Sequence, residues 1–227
     1  MIITVGGVKG GQGKSTLATN LAICLSQEGH DVLLVDADKQ RSASDFTLAR
    51  KETLGTADTG YTAIQLQGTA VRDEVNRLAP KYSDIIIDVG GRDTVEQRAA
   101  IAISNIYAIP VVPSSYDLWA LEQAAELVKE GRAFNPALHT LCFLNKVPAR
   151  SKEAGEAVQL IRDIPELTFI DVELIERKVW RDATANGLSV IEYSPTNQKA
   201  VDELWALYEA LFDPQFDTKK KSKRRAK

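Results

Sequence analysis

A chain of 227 residues is long enough for one large α/β domain with a sizeable core. Its 44% apolar and 26% charged residues are those of an ordinary globular protein, and no apolar run is long enough to span a bilayer, which argues against a membrane-embedded protein. The net charge of −3 conceals a polarity: residues 219–227 carry seven basic side chains and no acidic one, leaving the body with 21 basic against 31 acidic residues, a balance of −10.

The first apolar run, Ile2–Val5, reads as a strand. A strand entered at residue 2 leaves no room for a signal peptide, so a cytoplasmic protein is expected. The strand feeds Lys9-Gly10-Gly11-Gln12-Gly13-Lys14-Ser15-Thr16 and then a helix over Ser15–Glu28 that ends at Gly29. Strand, glycine-rich loop and helix in that order turn backbone N–H groups toward a phosphate chain. Lys14 supplies a point charge for the β- and γ-phosphates, and Ser15 a hydroxyl for Mg²⁺. The usual pattern, G-x-x-x-x-G-K-[ST], asks for glycine where this chain has Val8, and a second lysine, Lys9, opens the loop.

Val32–Val35 is the next strand and leads into Asp36-Ala37-Asp38. Alternation along an extended backbone puts both carboxylates on one side, one toward a metal shell and one toward an attacking water. The plain alternatives are a loop-capping Asp36 and a solvated Asp38. Lys51–Gly60 is polar and reads as a surface connection, and a helix over Thr69–Leu78 stops at Pro80. The strand Ile85–Ile87 ends in Asp88, a Walker B arrangement that makes Asp88 the carboxylate expected to hold Mg²⁺ through water. Gly90-Gly91 follows as a loop able to sense a γ-phosphate.

Then come a strand over Ile106–Val112, a helix over Tyr116–Arg132 and a strand over Leu141–Leu144. Three more helices are expected over Lys152–Arg162, Glu173–Ala185 and Thr196–Phe212. Cys24 and Cys142, in apolar segments without metal-like neighbours, read as buried free thiols, and Trp180 as a core residue. Continuous apolar strands separated by helices predict a doubly wound, mainly parallel α/β sheet with helices on both faces. Ligands then sit beyond the carboxyl ends of the strands. Residues 1–213 would form this P-loop NTPase domain and 214–227 a disordered basic tail.

Three stretches resemble the ParA/MinD family of deviant Walker A ATPases: Lys9–Thr16, Val35-Asp36-Ala37-Asp38-Lys39-Gln40 and Ile86-Ile87-Asp88. A weaker likeness runs through Ile109–Ser114 and the last helix, so the resemblance covers the folded body. It is closest to short ParA-type partition ATPases without an N-terminal helix-turn-helix domain. The resemblance implies ATP and Mg²⁺ as ligands and a sandwich homodimer in the ATP state. In that dimer Lys9 reaches the partner's phosphates, in the manner of an arginine finger supplied in trans. Asp38 positions the attacking water, Asp36 stands behind the metal shell, and the phosphate contacts come from Lys9 to Thr16. Asn145 would contact adenine, with a strand-end asparagine as the rival reading. Weak intrinsic hydrolysis, stimulated by a small adaptor protein, would release the dimer from nucleoid DNA and so position a plasmid, chromosome or protein assembly.

The chain departs from the family at Lys39, where a proline is usual, and at Val89-Gly90-Gly91-Arg92-Asp93, where prolines usually follow the Walker B strand. Arg177, Lys178, Arg181, Lys199 and the tail lysines Lys219, Lys220 and Lys221 are the candidate DNA contacts. A solvated helix face and a solubilising tail are the plain alternatives. The tail holds only Ala226 as an apolar side chain, so membrane insertion of the MinD kind is not expected. A MinD-like membrane regulator and a metabolic ligase of the same fold are the competing functions.

Overall fold

The computed structural model describes residues 1–113, 118–213 and 216. Among the described residues sixteen elements follow in chain order, a short 3₁₀ turn at Ala79–Lys81 included. The strands are β1 (Ile2–Val5), β2 (Val32–Asp36), β3 (Thr62–Gln65), β4 (Asp84–Asp88), β5 (Ile106–Val111), β6 (His139–Val147) and β7 (Thr168–Ile175). The helices are α1 (Lys14–Gln27), α2 (Ser42–Leu54), α3 (Ala70–Leu78), α4 (Val95–Ile101), α5 (Leu118–Phe134), α6 (Glu153–Arg162), α7 (Lys178–Ala185) and α8 (Gln198–Leu211). The sheet order is β3-β2-β4-β1-β5-β6-β7, and every pairing is parallel.

Strand residues alternate between two apolar layers, as a parallel sheet covered on both sides requires. Ile3, Val5 and Ile86 face one layer, with Leu17 and Leu21 of α1, Ala183 of α7 and Leu204 of α8. Ile2, Ile85 and Ile87 face the other, with Val71 and Val75 of α3 and Ala100 of α4. Val128 of α5 and Ile161 of α6 extend that second layer over β5 and β6. Each fully buried valine, leucine or isoleucine among these contributes about 1.5–3 kcal/mol, so both layers hold the sheet. Cys24 and Cys142 are buried free thiols, as expected. Trp180 packs against the first layer.

The five central strands lie where the apolar runs place them. The edge strands β3 and β7 are additions, and the helix expected over Glu173–Ala185 begins instead as a strand. Thr168–Ile175 alternates, with Val172 and Leu174 buried and Asp171 and Glu173 exposed, because an edge strand has one wet face. Helix α7 starts only at Lys178. Two helices, α2 and α4, also went unread, so the supposed connection from Lys51 begins inside a helix. Ser114 and the first residues of the helix expected from Tyr116 fall outside the described residues, as does the tail from residue 217 onward. No helix among the described residues is long and apolar enough to cross a membrane.

Candidate nucleotide site

The loop leaving β1 closes onto α1 through two left-handed glycines, Gly11 at φ +75° and Gly13 at φ +83°. Gly13 is the N-cap of α1, and no side chain caps that end. Its first-turn N–H groups, with the positive end of the helix dipole, therefore face the cleft above β1 unopposed. A Cβ on Gly13 would stand 2.7 Å from Asn145 Nδ2, so only glycine fits there.

That cleft holds about 710 Å³. One wall is the phosphate loop from Gly10 to Thr16, and the other is formed by Asp38–Gln40 and Gly90–Thr94. The cleft lies at the carboxyl ends of β1, β2 and β4, where the fold class places ligands. Lys9 does not line it.

Lys14 is 6% exposed, and its Nζ donates to the Lys9 carbonyl at 2.9 Å. Burial lowers this ammonium below the ordinary lysine range, while Asp88 and Asp38 pull the other way. Asp88 is fully buried, and neither carboxylate oxygen has a hydrogen-bond partner among the described residues. Burial pushes its carboxyl up to about 7. The Ser15 hydroxyl stands near enough to lower it without meeting hydrogen-bond geometry; Asp36 raises it and Lys14 lowers it. A buried carboxylate with two orphaned oxygens costs free energy unless a cation or donor completes it. Beside the Ser15 hydroxyl, this oxygen-rich corner fits a hard divalent cation such as Mg²⁺.

Asp36 lies opposite Asp88 in register and behaves differently. Its carboxylate accepts from Ser44 N at 2.8 Å, Ser44 Oγ at 2.6 Å and Asp38 N at 3.2 Å. It thereby fixes the entry to α2, and it stands behind Asp88 with its oxygens already engaged. Asp38 lines the cleft, accepts from Gln40 N at 3.0 Å, and faces Gly90, whose Cβ, if present, would lie 3.3 Å from Asp38 Oδ1. Gly91 touches the loop directly, since a Cβ there would meet the Lys9 carbonyl oxygen at 2.5 Å.

A family described as the CobQ/CobB/MinD/ParA nucleotide binding domain matches residues 3–190. The chain belongs to that family. It is 28% identical over 204 residues to the maintenance of carboxysome distribution protein A of Halothiobacillus neapolitanus, covering 89% of this chain and 92% of that protein. Among solved structures, the ATP complex of a McdA variant from Cyanothece superposes with a TM-score of 0.76 at 18% identity, covering 92% and 95% of the two chains. The septum site-determining protein MinD of Pyrococcus horikoshii, complexed with Mg-ADP, gives 0.70 at 20% identity, covering 96% and 98%.

In this ParA/MinD-family chain, two side chains that the sequence did not single out also reach the loops. Lys146 Nζ donates to the Gly11 carbonyl at 2.6 Å, beside the bond from Asn145 Nδ2 to the Gln12 carbonyl at 2.7 Å. Buried Gln97 of α4 meets Tyr107 Oη at 2.9 Å. With its amide nitrogen turned inward, it donates to the carbonyls of Gly90 at 2.9 Å and Gly7 at 3.2 Å, tying the Gly90 loop to the residues that leave β1. Neither residue belongs to a motif, so only the folded chain brings them in.

Four of the candidate DNA contacts, Arg177, Lys178, Arg181 and Lys199, lie on or beside α7 and α8. Arg177 caps α7 and is bound to Glu203 of α8, which leaves its charge compensated. Lys178 and Arg181 are exposed on α7, Lys178 paired with Asp182 at 3.0 Å, and Lys199 is exposed at the start of α8. Lys219, Lys220 and Lys221 lie outside the described residues.

The Asp88 environment has a thermodynamic signature. Its folded-state value near 7 lies above the ordinary 3.8, so the ligand-free fold binds that proton more tightly than the unfolded chain does. The stabilising contribution is complete below about pH 4 and is lost as pH rises through 7. Three pH units correspond to about 4 kcal/mol. Asp88→Asn is therefore expected to raise the melting temperature of the ligand-free protein at pH 8 by several degrees, and to leave it unchanged near pH 4. Thermal melts at both pH values check this; no gain at pH 8 would show that Asp88 is not an uncompensated buried acid.

Proposed function

We propose that the protein is a ParA-type ATPase that positions cargo by binding ATP·Mg²⁺, pairing as a sandwich dimer, and holding DNA non-specifically until hydrolysis releases it. The observation that carries this reading is the cleft itself. It joins a glycine phosphate loop and a buried lysine to Asp38 across a Gly90-Gly91 loop, with the orphaned Asp88 buried beside Ser15 and Lys14. Membership of the MinD/ParA nucleotide-binding family and the likeness to a carboxysome-distribution protein support the choice of cargo positioning over other phosphate chemistry.

In this reading the loop N–H groups and Lys14 hold the β- and γ-phosphates, and stabilise charge as it develops there. Ser15 and Asp88, the latter through water, would hold Mg²⁺, which when bound neutralises phosphate charge. Asp38 orients the attacking water from the opposite wall. Gly90-Gly91 packs against both Asp38 and the Lys9 carbonyl, so a γ-phosphate reaching this loop is felt at the start of the phosphate loop. Lys9 does not line its own cleft and is assigned to the partner's phosphates, so a monomer hydrolyses ATP weakly. Asn145 keeps a place beside the loop compatible with the adenine side, although one of its amide protons is spent on the Gln12 carbonyl.

DNA binding is assigned to Arg177, Lys178, Arg181 and Lys199 together with Lys219, Lys220 and Lys221 and the rest of the tail; Arg177 and Lys178 would exchange their pairs with Glu203 and Asp182 for phosphates. A small adaptor that stimulates hydrolysis, and association with the nucleoid in the cytoplasm, complete the reading. If all seven tail charges engage phosphates, log K against log[salt] falls with a slope of about −6. Gel shifts at several salt concentrations, with and without residues 217–227, measure it. An unchanged slope after truncation would remove the tail from the interface. Running the same samples against anionic liposomes separates this function from a membrane regulator, which would sediment with lipid and leave DNA unshifted.

A further inference from the structure

Two neighbouring residues of one strand grip two neighbouring carbonyls of the phosphate loop, and a regular strand does not permit that. Successive side chains of a strand point to opposite faces. Yet Asn145 holds the Gln12 carbonyl while Lys146 holds the Gly11 carbonyl.

The backbone supplies the explanation. β6 pairs Leu144 with Glu173 and Val147 with Ile175, taking three steps where β7 takes two. The register shifts on both sides of Leu144, and the extra β6 residue after it acts as a β-bulge does, re-aiming side chains beside a site. Within it Lys146 adopts φ +51°, a left-handed conformation that costs a non-glycine residue roughly 1–3 kcal/mol. No local turn chemistry requires that conformation of a lysine. What it gives is a fork of an amide and an ammonium reaching the loop side by side. Gly13 is cut to fit this fork: a Cβ there would lie 2.7 Å from Asn145 Nδ2 and 3.4 Å from Lys146 Cε.

A trans peptide plane points its C=O and the following N–H in opposite directions. Fixing the Gly11 and Gln12 carbonyls toward β6 therefore turns the N–H groups of Gln12 and Gly13 away from it. The two glycines at positive φ leave those planes otherwise free to rotate. We propose that Lys146 is a positioning residue of the phosphate site: its ammonium, with the Asn145 amide, locks the Gly11–Gln12–Gly13 peptides in the orientation that receives a triphosphate. The strained bulge exists to deliver that ammonium. This inference rests on the reading of the cleft as a nucleotide site and deepens it.

Three variants separate the ammonium from the backbone. Lys146→Met keeps the strain and loses the charge, Lys146→Gly relieves the strain and loses the charge, and Lys146→Arg keeps a cation. Each full-length protein is titrated with a fluorescent ATP analogue in Mg²⁺, followed through ATP turnover, and melted without nucleotide. The expected result is about tenfold weaker binding and a raised KM for Met and Gly, as the loss of a charge-assisted bond implies, with kcat within about twofold. Arg should stay within about threefold of wild type, and Gly should melt no lower than wild type. Wild-type affinity in Lys146→Met or Lys146→Gly would overturn the proposal, because the bulge would then serve only as a turn. A wild-type protein that binds no nucleotide would instead overturn the nucleotide site, and this inference with it.

Discussion

Lys14→Ala is expected to abolish nucleotide binding while leaving the fold intact. The ammonium is buried at the mouth of α1, and a triphosphate arriving there exchanges water for it and for the loop N–H groups. Losing two charge-assisted contacts removes on the order of 3–5 kcal/mol, a fall in affinity of more than about 100-fold. The fold is expected to survive the change, since burial already disfavours the Lys14 charge and its ammonium donates, among the described residues, only to a backbone carbonyl, that of Lys9. Calorimetric titration with ATP and Mg²⁺, beside a far-ultraviolet circular dichroism spectrum, tests both halves. Retained affinity would mean that the loop N–H groups suffice and that Lys14 is a structural cation.

Asp38→Ala should have the opposite phenotype, binding ATP and failing to consume it. Asp38 lies across the cleft from the phosphate loop, and its carboxylate accepts from Gln40 N within its own loop. Its removal costs little structure and no phosphate contact. The loss of an oriented water should slow turnover by about 10²–10⁴-fold. The variant should then accumulate as an ATP-bound dimer that stays on DNA. Single-turnover hydrolysis and DNA gel shifts read this directly; normal turnover in Asp38→Ala would move the water-positioning role elsewhere. Asp38→Asn, which keeps an acceptor oxygen, should fall between the two.

How far the sequence reaches depends on where each residue's partners lie. The phosphate loop, Asp38 and Asp88 sit in contiguous strings at strand ends; the fold brings the loop and Asp38 to one cleft and buries Asp88 beside Ser15 and Lys14. Central strands are apolar on both faces and so announce themselves, whereas β7 alternates and β3 is nearly all exposed. Helix α2 hid for another reason. Its buried side chains are Ala43, Phe46, Thr47 and Arg50, and an arginine reads as surface. Arg50 is instead a buried clamp, bonded to the Thr59 and Gly187 carbonyls and forked onto Glu192. The pairing of Arg177 with Glu203 is illegible in the same way, because the two are 26 residues apart and no helical spacing connects them. Lys146 and Gln97 escaped notice because a bulge and a short helix, not a motif, carry them to the loops.

The central claim is that two copies of the chain close over two triphosphates, each lending its Lys9 to the other. The most direct measurement is the solution mass, by light scattering, of wild type and Lys9→Ala with ADP and with a non-hydrolysable ATP analogue, both in Mg²⁺. Wild type should be a monomer of about 25 kDa with ADP and a dimer with the analogue, whereas Lys9→Ala should bind the analogue and remain a monomer. A wild-type protein that stays monomeric with the analogue bound, or a Lys9→Ala variant that pairs as well as wild type, would contradict the account.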